Sequence, residues 1–216
     1  MIKRNIFLLS SIASMAWGGL VQADNCLTIT NTNQTAQLSP VDNFDCTSVW
    51  GLLKNSGKFT DLKFPSNSSS TSDFYPGFCY VSNRDIPAKL ITTSGQSIPV
   101  NVESYSAWTS EFKPSLLQNY GYPMTFVDNM ATVITEWVVK NNKNKILGTV
   151  FTRDSVDLNL GSEQDIIVAG AGYFVGAKGA VRVNTSPEIM PDAQGNPVAT
   201  GNLNITGIYG KMCLPS

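Results

Sequence analysis

The chain has 216 residues, enough for one domain with a substantial core, and its formal charge of −1 is close to zero. Charged residues make up only 14% of it, and histidine is absent. The lack of histidine excludes a Ser-His-Asp triad, a Cys-His dyad and every histidine-ligated metal site. Because the chain has neither a net positive charge nor a local basic cluster, we expect no binding to nucleic acid.

Residues 1–23 predict a secretory signal peptide. Lys3 and Arg4 give a positive start, residues 6–17 form a short apolar stretch, and small residues precede a cut that we place after Ala23. The alternative, a membrane anchor, is disfavoured because a spanning helix needs about 20 apolar residues. We therefore expect a secreted or periplasmic mature chain that begins at Asp24 and has no membrane span.

The chain has four cysteines, Cys26, Cys46, Cys79 and Cys213. An even number in an exported protein predicts two disulfides, with free buried thiols as the alternative. Four cysteines allow three pairings, and the sequence leaves the choice open. At least one bridge must join the N-terminal region to itself, and the other either ties that region to the last strand or leaves Cys213 unpaired. No pair has metal-ligand spacing, so we expect no metal and no cofactor.

Residues 24–97 contain few periodic runs, which predicts an irregular N-terminal extension that packs on the rest of the chain. Within it, residues 26–30 indicate a short strand and residues 47–54 two helical turns. Residues 66–72 form a polar loop, and residues 74–78 an aromatic turn.

From residue 98 to residue 216 the pattern is that of an antiparallel β-structure. Residues 113–120 indicate a short helix or a loop. Strands are predicted at 98–105, 131–140, 145–155, 165–169, 179–185 and 201–213. Because these strands are separated by turn residues and do not alternate with helices, the pattern favours a barrel or a sandwich.

The hairpin between residues 131 and 155 has two faces whose composition can be compared. If Lys140 lies opposite Lys145, strand alternation separates the side chains into two sets. One set is Ala131, Val133, Thr135, Trp137, Val139, Ile146, Gly148, Val150, Thr152 and Asp154. The other is Thr132, Ile134, Glu136, Val138, Leu147, Thr149, Phe151 and Arg153. Both sets are about half apolar, as expected of a barrel with an enclosed interior and a covered outside.

Five side chains are candidates for binding a ligand: Asp154, Trp137, Tyr209, Glu136 and Arg153. Asp154 ends an otherwise apolar face and is either a pocket carboxylate with a raised pKa or a turn residue. Trp137 stacks on a ligand or fills the core, and Tyr209 bonds within a cavity or fills the core. Glu136 and Arg153 belong to the pocket only if their face points inward.

Residues 166–185 carry a glycine-rich corner between two strands. Residues 169–174 read Ala-Gly-Ala-Gly-Tyr-Phe, and residues 177–179 read Ala-Lys-Gly. This segment resembles the signature of the allene oxide cyclase and dirigent-protein barrels, with Ala169 in place of the first glycine of that pattern. The resemblance covers about residues 98–216. A phosphate-binding loop is the weaker alternative, since neither the spacing nor a following helix fits one.

The resemblance implies an all-β fold, an antiparallel eight-stranded barrel of a bacterial secreted member of that family. It also implies a hydrophobic or phenolic ligand inside the barrel and an oligomer, because plant members are often trimers. We therefore expect a non-catalytic binding protein for a small apolar or aromatic ligand, or for an extracellular protein or glycan. The alternative is an allene oxide cyclase-like cyclase or isomerase that shapes a reactive hydrophobic substrate in the cavity.

Overall fold

The computed structural model describes residues 25–31, 36–40, 46–65, 72–109, 130–157 and 161–215. Within these ranges the protein has ten β-strands and a single α-helix, α1 (Thr47–Asn55). The strands are β1 (Asn25–Asn31), β2 (Ala36–Pro40), β3 (Phe74–Ser82), β4 (Ile86–Thr92), β5 (Ser97–Thr109), β6 (Met130–Asn141), β7 (Ile146–Asp157), β8 (Ser162–Gly172), β9 (Lys178–Pro191) and β10 (Pro197–Leu214).

The strands form one closed antiparallel barrel. Each strand from β5 to β10 pairs with the next, β4 pairs with β5, and β1 pairs with both β4 and β10. This circuit of eight strands returns to its start, so the sheet has no free edge along it. The expected all-β fold with an eight-stranded antiparallel barrel is therefore confirmed.

Two of the eight positions in the barrel wall are each occupied by two strands in succession. β1 and β2 both pair with β10, β1 along residues 209–214 and β2 along residues 203–205. Likewise β4 and β3 both pair with β5, and β2 pairs with β3. At one end of the barrel β1 and β4 therefore complete the wall, and at the other end β2 and β3 complete it.

The described part of residues 24–97, which the sequence predicts as an irregular extension, supplies β1 to β4 of the sheet together with α1, and β1 matches the short strand predicted at 26–30. Short strands interrupted by turns lack the long alternation that marks a strand in a sequence, which explains why β2 to β4 were not predicted. The helix predicted at 47–54 is confirmed. The predicted signal peptide, most of the polar loop at 66–72 and the segment 113–120 lie outside the described residues.

One half of the barrel interior is filled by apolar side chains. Strand alternation points one side chain in two inward, and the inward residues at the β1–β4 end are mostly aliphatic. The largest fully buried members are Leu27, Leu90, Ile86, Ile208, Met212 and Phe174. This half of the barrel therefore resembles the core of an ordinary globular domain and supplies most of the hydrophobic stabilisation.

Phe174 reaches this core because the chain reverses sharply between β8 and β9. Gly172 adopts a φ of +61°, and a Cβ on Gly170 would lie only 1.8 Å from the carbonyl oxygen of Phe174. Both positions therefore require glycine. Tyr173 and Val175, which flank Phe174, are exposed, so only the middle residue of the three plugs the barrel.

The segment 46–65 covers the outside of the barrel wall. Val49 and Leu53 lie on one face of α1, four residues apart, and are buried against β5 and its neighbours. Phe59 contacts Phe151 of β7 edge-on, with the ring centroids 6.2 Å apart. A disulfide between Cys46 and Cys79 joins the start of α1 to β3. This layer shields the outward apolar side chains of β5 to β7 from water.

The second disulfide, between Cys26 and Cys213, joins β1 to β10 at a directly opposed pair of residues. Both predicted disulfides are thus confirmed, and of the two arrangements left open, Cys213 is tied to the N-terminal region. The bridge lies where the first and last strands of the barrel meet.

We expect the double variant Cys26→Ser, Cys213→Ser to lower the free energy of unfolding by about 2–5 kcal/mol. Loss of the cross-link frees a loop of 187 residues in the unfolded chain, and long loops lose the most entropy on closure. Urea unfolding followed by tryptophan fluorescence measures the change.

The matched control is the double variant Cys46→Ser, Cys79→Ser, whose loop spans 33 residues. On chain entropy it should lose less stability. A larger loss for the shorter loop would show that native packing of α1, and not chain closure, dominates the effect of the disulfides.

Candidate functional site

At the end of the barrel where β2 and β3 complete the wall, the interior contains an open cavity. It has a volume of about 180 Å³, and side chains of β2, β3, β5, β6, β7, β8, β9 and β10 line it. Every one of the eight wall positions therefore contributes, which places the cavity on the barrel axis. We call this space the mouth cavity.

The wall of the mouth cavity is aromatic on one side. Trp108 of β5 and Tyr80 of β3 both line it, and their ring centroids lie 6.5 Å apart. Phe78 contacts the same indole at 5.3 Å. Leu38 and Leu203 add aliphatic surface. Such a wall binds flat apolar molecules well, because aromatic rings offer large and rigid contact area.

Three carboxylic side chains, Asp154, Glu163 and Asp165, meet next to this cavity, and Glu163 is the one that lines it. Asp154 of β7 lies directly opposite Asp165 of β8, and Glu163 precedes Asp165 by two residues, on the same face of β8. Carboxylate oxygens of all three lie within 4.8 Å of one another. Asp154 and Asp165 are buried, whereas Glu163 is half-buried and lines the mouth cavity. We call these three residues the acid cluster.

Hydroxyl groups of the barrel interior donate hydrogen bonds to Asp154. The hydroxyl of Thr135 lies 2.5 Å from Asp154 Oδ2, and Thr152 also donates to this carboxylate. The indole of Trp137 in turn donates to Thr152 Oγ1 at 3.3 Å. Thr135 has one hydroxyl proton and donates it to Asp154. Ser106, whose Oγ lies 3.0 Å from Thr135 Oγ1, is therefore the donor to Thr135. These bonds hold Asp154 in one orientation.

The rest of the acid cluster has few partners. Neither carboxylate oxygen of Asp165, nor Asp154 Oδ1, has a hydrogen-bond partner among the described residues. Removal from water raises the pKa of all three carboxyls, and the negative charge of Asp154 adds to this for Glu163 and Asp165. The cluster therefore holds protons more tightly than isolated carboxyls do.

The structure separates the five predicted site residues. Asp154 and Trp137 point into the barrel, where Trp137 is 8% exposed and belongs to the core. Glu136 and Arg153 point outward, and Arg153 forms an ion pair with Asp61 of the covering layer, at 2.5 Å. Tyr209 is 45% exposed and accepts a hydrogen bond from Asn184 on the outer surface, so its expected place inside a cavity is wrong.

The hairpin register explains why the two faces were separated correctly although their pairing was not. Trp137 lies opposite Val150, two residues from the predicted partner, and Lys140 lies opposite Ile146 after an irregularity. A displacement of two residues preserves the face to which each side chain points. Asp154 and Trp137 therefore share one face, as predicted, and the structure shows that this face points inward.

The sequence analysis did not identify Glu163 and Asp165 as site residues, although the sequence contains a pattern that indicates them. The alternation Glu-Gln-Asp-Ile-Ile puts residues 163, 165 and 167 on one face, and Ile167 is buried in the core. The predicted strand began only at residue 165, which removed Glu163 from consideration. The pairing of Asp154 with Asp165 requires the β7–β8 register, which the sequence does not define.

A second depression, of about 210 Å³, lies along β5 to β8 and is lined by outward residues such as Ile134, Arg153 and Gln164 and also by Asp154. Arg153 forms an ion pair with Asp61, and none of the residues that line this depression is aromatic. The mouth cavity, with its aromatic wall and its acid cluster, is the better candidate for a binding site.

Comparison with known proteins adds little to this description. No protein-family model matches the chain, and no curated protein matches it. One solved structure that is similar is that of the pterocarpan synthase dirigent protein GePTS1, with 8% identity over 88% of each chain and a TM-score of 0.32. Similarity at this level does not establish family membership, and the barrel is defined here by its own strand pairings.

The outward-facing Glu136 should make the stability of the protein depend on pH. Burial against the covering layer raises its pKa to about 7, and its Oε2 has no hydrogen-bond partner among the described residues. A carboxyl whose pKa is higher in the folded than in the unfolded protein destabilises the fold once pH rises from the unfolded value toward 7. We expect Glu136→Gln to raise the unfolding midpoint at pH 8 and to leave it nearly unchanged at pH 4.

Thermal unfolding of both proteins across pH 4–8 measures this difference. Glu188→Gln is the control, because hydrogen bonds from Asn202, Thr200 and Gln37 lower the pKa of Glu188 instead. Relative to the wild type, that variant should be less stable at pH values above the pKa of the unfolded carboxyl and show no gain at pH 8. Equal effects of Glu136→Gln at pH 4 and pH 8 would contradict the assignment.

Proposed function

We propose that this protein is a non-catalytic binding protein that holds one small aromatic molecule in the mouth cavity of its barrel. The proposal is supported by one observation above others, the aromatic wall of Trp108 and Tyr80 at the open half of a barrel whose other half is filled. The open half forms a shallow pocket, and the packed side chains of the filled half form its floor.

The size of the cavity limits the ligand. A cavity of about 150 Å³ inside a protein accommodates benzene, so a cavity of about 180 Å³ fits one aromatic ring with a few further atoms. One face of this ring would lie against Trp108. Glu163 at the inner end accepts a hydrogen bond, which favours a ring with a hydroxyl or amino group. The ligand class is therefore a substituted phenol or aniline.

The proposed location is outside the cytoplasm, in the periplasm or the medium. Two disulfides are consistent with an oxidising compartment, and residues 1–23 have the pattern of a signal peptide. None of the described helical residues forms a segment long and apolar enough to cross a membrane. An extracellular protein or glycan as the partner, and a homo-oligomer, remain part of this proposal.

Intact-mass measurement of the exported protein tests the location. We expect a chain that begins at Asp24, carries two disulfides and is four hydrogen masses lighter than the fully reduced chain. A chain that retains residues 1–23 in the membrane fraction would contradict the cleaved signal peptide.

Titration with 4-methylphenol, followed by ¹H–¹⁵N NMR, tests binding in the mouth cavity. We expect the indole N–H of Trp108 to shift, and Trp108→Leu to bind about 2- to 10-fold more weakly, since loss of an aromatic contact costs about 0.5–1.5 kcal/mol. Trp50→Leu, in the covering layer outside the barrel, is the control and should bind normally. Shifts confined to residues outside the cavity, or equal affinity of Trp108→Leu, would contradict the proposal.

Native mass spectrometry of protein taken from its own producer identifies the natural ligand. A retained small molecule with an aromatic ring supports the proposal. A chain that never carries one, and that binds no phenol in the titration, would leave the outer surface as the place of its activity.

A second candidate function, a cyclase or isomerase, is favoured by the position of Glu163. A carboxyl with a raised pKa beside an apolar cavity is suited to give a proton to a bound substrate and to take one back. If the retained molecule is converted by the protein, Glu163→Gln should abolish conversion and leave binding within a few fold of normal. If nothing is converted, the cyclase proposal fails and the binding proposal stands.

A further inference from the structure

The acid cluster brings three carboxylates together without a basic side chain to balance them. Asp154 projects from β7, and Glu163 and Asp165 project from β8, with carboxylate oxygens within 4.8 Å of one another. Among the described residues, the charged groups that act on these carboxyls are the other acids of the cluster. Lys140 pairs with Asp85 and Glu103, and Arg153 pairs with Asp61, all on the outside of the barrel.

A single shared proton does not account for the whole cluster. The carboxyls of Asp154 and Glu163 are close enough to share one. Asp165, however, is fully buried, and neither of its oxygens has a hydrogen-bond partner among the described residues. Burying carboxylate oxygens with no partner is costly, and a cation that contacts all three residues at once would supply the missing partner.

The available ligand atoms determine the kind of group. The chain has no histidine, and all four cysteines are in disulfides, so imidazole and thiolate ligands are excluded. Oxygen ligands suit hard divalent cations such as Ca²⁺ and Mg²⁺, whereas zinc and copper prefer imidazole or thiolate. Two oxygens bound to one Ca²⁺ at 2.3–2.6 Å lie at most about 5 Å apart, and those of the cluster meet this limit.

We propose that Asp154, Glu163 and Asp165 together bind one hard divalent cation, Ca²⁺ in the first instance, inside the barrel. Asp165 supplies the two unpartnered oxygens and Asp154 its Oδ1, while Asp154 Oδ2 stays bonded to Thr135. Glu163 faces the mouth cavity, which provides a route from solvent and space for the water ligands that complete the coordination. The site does not depend on an organic ligand.

This site differs from what the sequence analysis expected. That expectation, of no metal, rested on the spacing of cysteines and on the lack of histidine. An all-carboxylate site assembled from two paired strands has no fixed sequence spacing, since β7 and β8 contribute through their register.

The test uses the mature, disulfide-bonded protein, freed of metal with EDTA and dialysed at pH 7.5. Titration with CaCl₂ and with MgCl₂, by isothermal calorimetry and native mass spectrometry, should show one cation per chain. Ca²⁺ at 100 times its dissociation constant should raise the melting temperature by roughly 5–10 °C. Asp165→Asn and Glu163→Gln should each weaken binding at least 10-fold, and Asp85→Asn, on the outer surface, should bind normally.

Two results would overturn the proposal. The first is a folded, metal-free protein that binds neither cation at 10 mM. The second is binding that Asp165→Asn and Glu163→Gln leave unchanged, because the cation would then lie elsewhere. If Asp165→Asn fails to fold by circular dichroism, the half-buried Glu163→Gln decides alone. Methylammonium serves as a further probe. If the protein binds methylammonium and does not bind Ca²⁺, the proposed divalent-cation site is refuted. The 4-methylphenol titration reports separately on the organic ligand.

Discussion

The closure of the sheet between β1 and β10 is the constraint on which the rest of the structure depends. An open sheet of this length would expose two edges, whereas the closed circuit pairs both of them. Closure also gives every strand an inside and an outside, and the direction of each side chain follows from that division. The Cys26–Cys213 bridge lies on this junction and holds it covalently.

Closure makes the two halves of the interior unequal in chemistry. Around β1 and β4, aliphatic side chains fill the space, which is the usual source of stability. Around β2 and β3 the interior holds serine and threonine hydroxyls, three carboxylic acids and an aromatic wall. Buried polar groups of this kind contribute less to stability than apolar ones of the same volume, and their retention at one end is typical of a functional site. The stability contributed by the apolar half allows the other half to contain buried polar groups.

Much of the barrel could be predicted from the sequence, whereas the site could be predicted only in part. Long strands such as β6 and β7 alternate clearly, so their two faces were separated correctly, but the sequence did not show which face points inward. Of β1 to β4, only β1 was predicted as a strand, at residues 26–30, and the place of all four is set by pairing with β5 and β10. Glu163 and Asp165 join Asp154 only through the β7–β8 register. Tyr209 was misplaced because alternation changes at the irregularity between Ile205 and Gly207 of β10.

The position of the Cys26–Cys213 bridge also orders events during folding. Its two cysteines are 187 residues apart, and all the other strand positions lie between them in the chain. The directly opposed pairing of β1 with β10 therefore cannot exist until β10 has been synthesised. Cys46 and Cys79, only 33 residues apart, can meet much earlier. In the interval Cys26 stays reduced or pairs wrongly with one of these two, so that correct oxidation depends on thiol–disulfide exchange during assembly. Cells that lack a disulfide isomerase should accumulate chains with scrambled bridges.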